Sequence, residues 1–190
     1  MSDTFYKYRS FDNFEHLVDI IVNSRIYAAN YNSMNDPMEG CYEYPNDYDD
    51  EAIKLLEKEL DNTKFCSLSR HSNIDLMWAH YANGNRGLCI GIEVKRNRKF
   101  DEYLPIIYDG QPKLIEKKDF NSDRAKKILR HKSECWHYEQ EVRVFPTSGH
   151  LIDVTVKEVI FGKRANSQLE PLVSQLLKQF QPNAVISKQK

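Results

Sequence analysis

The stretch Trp136-His137-Tyr138-Glu139-Gln140-Glu141-Val142-Arg143-Val144-Phe145-Pro146 decides how the rest of the chain is read. It sets two carboxylates two residues apart at the mouth of an apolar run. In a strand, residues i and i+2 point to one face. The spacing therefore predicts Glu139 and Glu141 side by side, with Gln140 turned away. From Val142 to Phe145 apolar and charged residues alternate, as in a half-buried strand. Paired carboxylates entering a sheet are costly unless they find partners or do chemistry. The residues alone leave both readings open. One is a strand edge whose glutamates pair with Arg143 and lysine neighbours; the other is a pair that works.

Working outward, the 190 residues suit one domain, 1–190, and are enough to bury a sizeable core. Apolar residues make up 41% and charged residues 29%, so a soluble, globular chain is expected rather than a disordered one. With 27 basic and 28 acidic side chains the net charge is -1. That balance gives no whole-chain argument for nucleic acid or anionic membrane, although a local basic patch is compatible with it. No run approaches the roughly 18 apolar residues needed to span a bilayer, so no membrane partner is expected. The start, Met1-Ser2-Asp3-Thr4-Phe5-Tyr6-Lys7, lacks the basic-then-apolar pattern of a secretion signal. Cys66 and Cys89 lie in strand-like runs, so buried free thiols are expected rather than disulfides. A cytoplasmic location is the simplest expectation.

In chain order, 5–9 reads as a first strand with Lys7 and Arg9 on one face and Tyr6 and Tyr8 on the other. Ser10 or Asp12 is the expected cap of a helix whose stripe is Phe14, Leu17, Val18, Ile21 and Val22. A strand is expected over 25–31, then the turn-rich loop Asn32-Ser33-Met34-Asn35-Asp36-Pro37-Met38-Glu39-Gly40. A helix over 50–60 turns Ile53, Leu56 and Leu60 inward. The strand 64–70 carries Ser67 and Ser69 on one face. Ser72, with Asp75 three residues on, starts a helix bearing Trp78, His80 and Tyr81. The turn at 83–87 leads into 88–94, the most apolar stretch and an expected central strand. A strand over 104–108, a basic helical connector over 112–135, strands at 151–154 and 158–161, a helix over 167–180 and a strand at 184–187 complete the chain. The elements do not alternate regularly. The expected class is α+β, one domain of mixed or antiparallel sheet with flanking helices.

Several chemistries are not supported. His131, Cys135 and His137 lack paired short-spaced ligand motifs, so no metal site is expected. There is no phosphate loop, no G-x-G-x-x-G and no G-x-S-x-G. The basic run 124–132 reads as a solvated helix face more readily than as a phosphate contact. Trp78 and Tyr81 read as core packing, and His80 is left open between a site and a surface role.

Three stretches fit together: Tyr8-Arg9, then Ser67-Leu68-Ser69, then Glu139-Gln140-Glu141 running into an apolar strand and Pro146. In that order they resemble the R-S-E class of mono-ADP-ribosyltransferases. Leu68 and the bulky Trp136-His137-Tyr138 depart from that pattern. A second resemblance covers more of the chain. Tyr6-Lys7-Tyr8-Arg9, Asn35-Asp36-Pro37-Met38-Glu39, Trp78-Ala79-His80-Tyr81, Arg86-Gly87-Leu88-Cys89-Ile90-Gly91 and 136–143 look like the bacterial and phage family called domain of unknown function 2971. That likeness runs to about residue 163 and implies no activity by itself.

The first resemblance implies an ADP-ribosyltransferase-like fold with NAD as substrate. Breaking the nicotinamide–ribose bond passes through a positively charged oxocarbenium-like state, which a carboxylate stabilises. By the resemblance Glu141 takes that role, and Glu139 orients or deprotonates the acceptor. Arg9, beside Tyr8, holds phosphate or ribose through its planar fork. Ser67 or Ser69 bonds the ribose or orients Glu141, and Tyr81 (with His80 beside it) or Tyr31 stacks on nicotinamide. The acceptor is left unassigned, with nucleic acid among the options. A role in phage–host or toxin conflict is implied only by the bacterial and phage setting. The rival readings are an NAD glycohydrolase and a non-catalytic interaction module. In the latter the Asn35–Glu39 loop is a binding surface or a turn; in an enzyme it closes over the ligand.

Overall fold

A run of seven residues in which only Glu93 is not buried needs neighbours on both sides and cover on both faces. In the computed structural model, which describes residues 4–46, 49–95, 102–115 and 123–190, residues 88–94 have all of these. The elements are β1 (Phe5–Arg9), α1 (Phe14–Asn23), β2 (Arg25–Tyr27), β3 (Ala29–Asn30), β4 (Tyr42–Glu43), α2 (Asp50–Asn62), β5 (Lys64–Ser69), α3 (Asp75–Tyr81) and β6 (Leu88–Val94). Then come β7 (Glu102–Pro105), β8 (Ile107–Tyr108), β9 (Lys113–Leu114), α4 (Arg124–Ile128), β10 (His131–Lys132), β11 (Glu141–Phe145), β12 (Leu151–Phe161), α5 (Leu169–Phe180) and β13 (Val185–Lys188). Single turns of 3-10 helix occupy Tyr31–Ser33 and, more extended, Glu134–Glu139.

The main sheet runs β13-β12-β6-β1-β5-β11-β7, with β2 added to β12 and β3 to β5. Its pairs are antiparallel except β12 with β13. The fold is α+β, mostly antiparallel, as the absence of regular alternation implied. Cys66, Leu68, Leu88, Ile90, Ile92, Val142 and Val144 form one core with Leu17, Ile20 and Ile21 of α1 and Val173 and Leu177 of α5. Around Phe65 and Phe145, α2 and α4 close the other face. Tyr8 and Cys89 pack with Met77 and Trp78 of α3. Burying each large side chain of this kind contributes about 1.5–3 kcal/mol.

Several local expectations are corrected. Neither Ser10 nor Asp12 caps α1; Asn13 stands at the cap without a side-chain bond. Ser72 does not start α3, which begins at Asp75; its carbonyl instead accepts the Trp78 indole N–H at 2.9 Å. The strand expected at 25–31 bends at Ala28, whose amide bonds His150 O, and serves two partners, β12 and β5. The two short strands at 151–161 are one strand with a bulge between Val156 and Glu158. On α5 the inward residues are Val173 and Leu177, while Leu172 and Phe180 are exposed.

The connector 112–135 is helical only at Arg124–Ile128; residues 116–122 of that expectation lie outside the described residues. Nor is its basic run a solvated face. Arg124 is buried and forks onto Glu59 at 2.7 and 2.8 Å, and Lys132 is buried. All five residues of β11 are buried, not half of them. Cys66 and Cys89 are buried free thiols, and Cys41 and Cys135 are exposed ones. Among the described residues no helix is long and apolar enough to cross a membrane.

Candidate functional site

β1 and β5 are neighbours that share one bridge, Tyr6↔Ser69. Beyond it each strand keeps its other partner: β1 stays with β6, and β5 with β11 and β3. The carbonyl of Ser67, free of β1, accepts the Lys7 ammonium at 2.7 Å instead. A cleft of about 560 Å³ opens at this split. Arg9, Ser67, Ser69, Glu139, Glu141, Tyr8, His80 and Tyr81 all line it. His16 and Tyr27 line it as well, in a stack with His150.

Register specifies how each residue reaches the cleft. Tyr6, Ser69 and Glu141 are cross-strand partners and share a face. Alternation turns Lys7 and Arg9 to the opposite face of β1. They meet the carboxylates in one cleft only because the strands part. Arg9 Nε is buried there without a hydrogen-bond partner among the described residues. Burial lowers the proton affinity of both Lys7 and Arg9, and for Lys7 the charge of Arg9 works in the same direction.

Glu139 and Glu141 are brought together, but not by strand alternation. Glu139 ends the 3-10 turn, Gln140 adopts the left-handed conformation with φ 47° and ψ 48°, and Glu141 begins β11. Lys132, 3% exposed, joins the two carboxylates. Its Nζ donates to Glu139 Oε2 at 2.5 Å and to Glu141 Oε2 at 3.1 Å. Glu139 Oε1 accepts the Tyr81 hydroxyl at 2.5 Å, and Asn35 donates to that hydroxyl. Glu141 Oε1 accepts Arg143 Nε at 2.7 Å, and the Glu141 amide donates to the Tyr108 hydroxyl at 2.8 Å. Arg143, 0% exposed, forks onto Glu39, caps the Leu129 carbonyl and lies 4.2 Å from the Phe65 ring centroid.

These surroundings push the two carboxyls apart. Burial alone would raise Glu141, but Arg143 and Lys132, helped by the Ser67 hydroxyl, hold it well below the usual carboxylate range. For Glu139 burial wins over Lys132 and Tyr81, and the charge of Glu141 adds to it, so its carboxyl titrates above the usual range. The pair can thus hold one permanent anion beside one group that exchanges a proton nearer neutrality. Both carboxylates keep unused lone pairs, since a carboxylate accepts at about four positions.

The other sequence candidates fall as follows. Ser69 Oγ donates to Glu139 O at 2.7 Å and accepts the His71 amide, which holds the turn rather than the cleft. Tyr8 is a core ring, edge-on to Trp78, with its hydroxyl bonded to His71 O and Ile74 N. Trp78 is core, as expected; Tyr81 is not only that. His80 is exposed at the rim, near Tyr138. Tyr31 packs on the α2 cluster and does not line the cleft. Asp36 and Glu39 are buried behind the carboxylates, not over the cleft: Asp36 takes the Ser133 amide and hydroxyl at 2.7 and 2.8 Å. The loop is a buttress. No spacing in the sequence links Lys132 or Tyr108 to Glu141, and Glu39, expected near the sugar, instead pairs with Arg143 behind the carboxylates. Among the described residues no group of three or more His, Cys, Asp or Glu could hold a metal.

The family model described as "Protein of unknown function (DUF2971)" matches residues 77–144, from α3 through the first part of β11. The resemblance to that family is thus borne out over this segment. Comparisons with curated proteins and with solved structures returned no match.

Proposed function

We propose that the chain is an NAD-dependent mono-ADP-ribosyltransferase acting at the cleft between β1 and β5. One observation carries the reading: Arg9, Ser67 and Glu141, from three strands far apart in sequence, line a single cleft. Its volume, about 560 Å³, lies within the range of small-molecule sites. Arg9 Nε, buried and unpartnered among the described residues, is a costly group that a phosphate or ribose oxygen would satisfy.

In this reading Glu141, held as an anion, faces the ribose and stabilises the charge that develops as nicotinamide departs. Glu39, Glu139 and Glu141 share the cations Lys132 and Arg143, and Lys7 and Arg9 add two cations to the same cleft. The Ser67 hydroxyl helps to keep Glu141 in its charged form. Glu139, with its raised proton affinity, receives the proton of the acceptor. Tyr81 and His80 stand where the nicotinamide or the acceptor enters. Placing the activity in phage–host or toxin conflict rests on the bacterial and phage setting of the resembling family alone.

Incubation with adenylate-labelled NAD and a cell lysate tests this. The expected result is label on a macromolecule with release of free nicotinamide. Label recovered only as ADP-ribose would assign a glycohydrolase. No turnover together with no NAD binding by calorimetry would leave a binding module and overturn the enzymatic reading.

A further inference from the structure

Lys132 is in none of the motifs that carry either resemblance, yet it touches both carboxylates of the E-x-E stretch. Its side chain is buried, its Nζ lies 2.5 Å from Glu139 and 3.1 Å from Glu141, and it sits 5.0 Å from the Trp136 ring centroid. Its position is pinned on both flanks. β10 pairs in parallel with β8, and the next residue, Ser133, is held by Asp36. A lysine placed this way by two independent anchors is not a stray surface cation that has found an acid.

We infer that Lys132 is the positioning residue that couples Glu139 to Glu141, so that one cation serves the two carboxylates in turn. The roles of the glutamates rest on the transferase reading. Transfer breaks the ribose C1′–nicotinamide nitrogen bond, and the electron pair leaves with nicotinamide. A bond forms between C1′ and the acceptor atom, and the acceptor proton passes to Glu139. Before that step Lys132 is shared between two anions, which leaves Glu141 enough negative charge to face the oxocarbenium ion. Once Glu139 is protonated it no longer attracts the ammonium, and Lys132 belongs to Glu141 alone. The negative charge at the ribose is therefore damped when the positive charge has gone.

The groups facing this pair come from every neighbouring element: Tyr81 from α3, Tyr108 from β8, Tyr138 from the Glu134–Glu139 turn, Arg143 from β11, Glu39 from the loop after the Tyr31–Ser33 turn, and Lys7 across the cleft. Among the described residues only Lys132 contacts both carboxylates through one atom.

The test is a pH profile of NAD turnover alongside a ¹³C-NMR titration of the Glu139 carboxyl, in wild type, Lys132→Met and Lys132→Arg. In Lys132→Met the acid limb and the Glu139 titration should both move up by about one pH unit or more, because the opposing cation is gone. Lys132→Arg should bring both back toward wild type. A Glu139 titration unchanged in Lys132→Met overturns the inference. The titration needs no NAD: if it moves while wild type turns over no NAD, the coupling stands and the transferase reading falls. If Lys132→Met does not fold, Glu139→Gln carries the test. The Lys132 ammonium, followed by ¹⁵N NMR, should then titrate lower than in wild type, and an unchanged value overturns the coupling.

Discussion

Arg143 is a fully buried guanidinium, and it is tolerable only because it makes four hydrogen bonds, to Glu39, Glu141 and Leu129 O. Arg143→Met should therefore leave two buried carboxylates short of a counter-charge and cost about 3–5 kcal/mol, read from denaturant unfolding. Glu141→Gln keeps volume and loses charge. It should reduce NAD turnover by at least about 10²–10³-fold while the near-UV circular dichroism stays native. The pH dependence has a definite sign. The folded value of Glu141 is depressed, since Arg143 and Lys132 outweigh burial. Its contribution to stability is full above the unfolded carboxylate value of about 4.3 and is lost as pH falls through the folded value. Unfolding midpoints taken from about pH 6 to about pH 3 should fall less steeply in Glu141→Gln than in wild type. Glu139 works the other way: its raised value gives stability that is present in acid and lost as pH rises.

Among the elements, the turn into β11 matters more than the strand. A strand carrying Glu139-Gln140-Glu141 would place the carboxylates as neighbours along one face. The 3-10 turn and the left-handed Gln140 instead wrap them around a single ammonium. A β-branched side chain resists that conformation. Gln140→Val should cost about 1–2 kcal/mol relative to Gln140→Gly and weaken NAD binding, measured by calorimetry on both variants. The Asn35–Glu39 loop reads in the sequence as a turn, a binding surface or a segment closing over the ligand, and none of these names a buttress. Its function as a buttress depends on Ser133 and Arg143, roughly a hundred residues later, and no local pattern announces such partners.

At the scale of the molecule the sheet does two jobs, because β1 and β5 meet at one bridge and then separate. Gly87 helps set that geometry. A Cβ there would stand 2.0 Å from the Arg9 carbonyl, so the end of β1 that carries Arg9 lies directly against the turn before β6. Gly87→Ala should shift Arg9 and destabilise by about 1–3 kcal/mol, with a rise in the dissociation constant for NAD and unchanged secondary structure by circular dichroism.

What the sequence by itself determined was the α+β class, the apolar β6, the serine face of β5 and the chain order of arginine, serine and glutamate. Local period and propensity specify such things, because each is set by neighbours within a few residues. Whether Arg9 and Glu141 line one cleft was decided only by the tertiary structure. Alternation puts them on opposite faces of a continuous sheet, and the cleft exists because the sheet is not continuous there. The same holds for Lys132. A buried ammonium between two carboxylates is favourable only when the desolvation of all three groups is offset at once. That balance is a property of the assembled site, and no spacing along the chain encodes it.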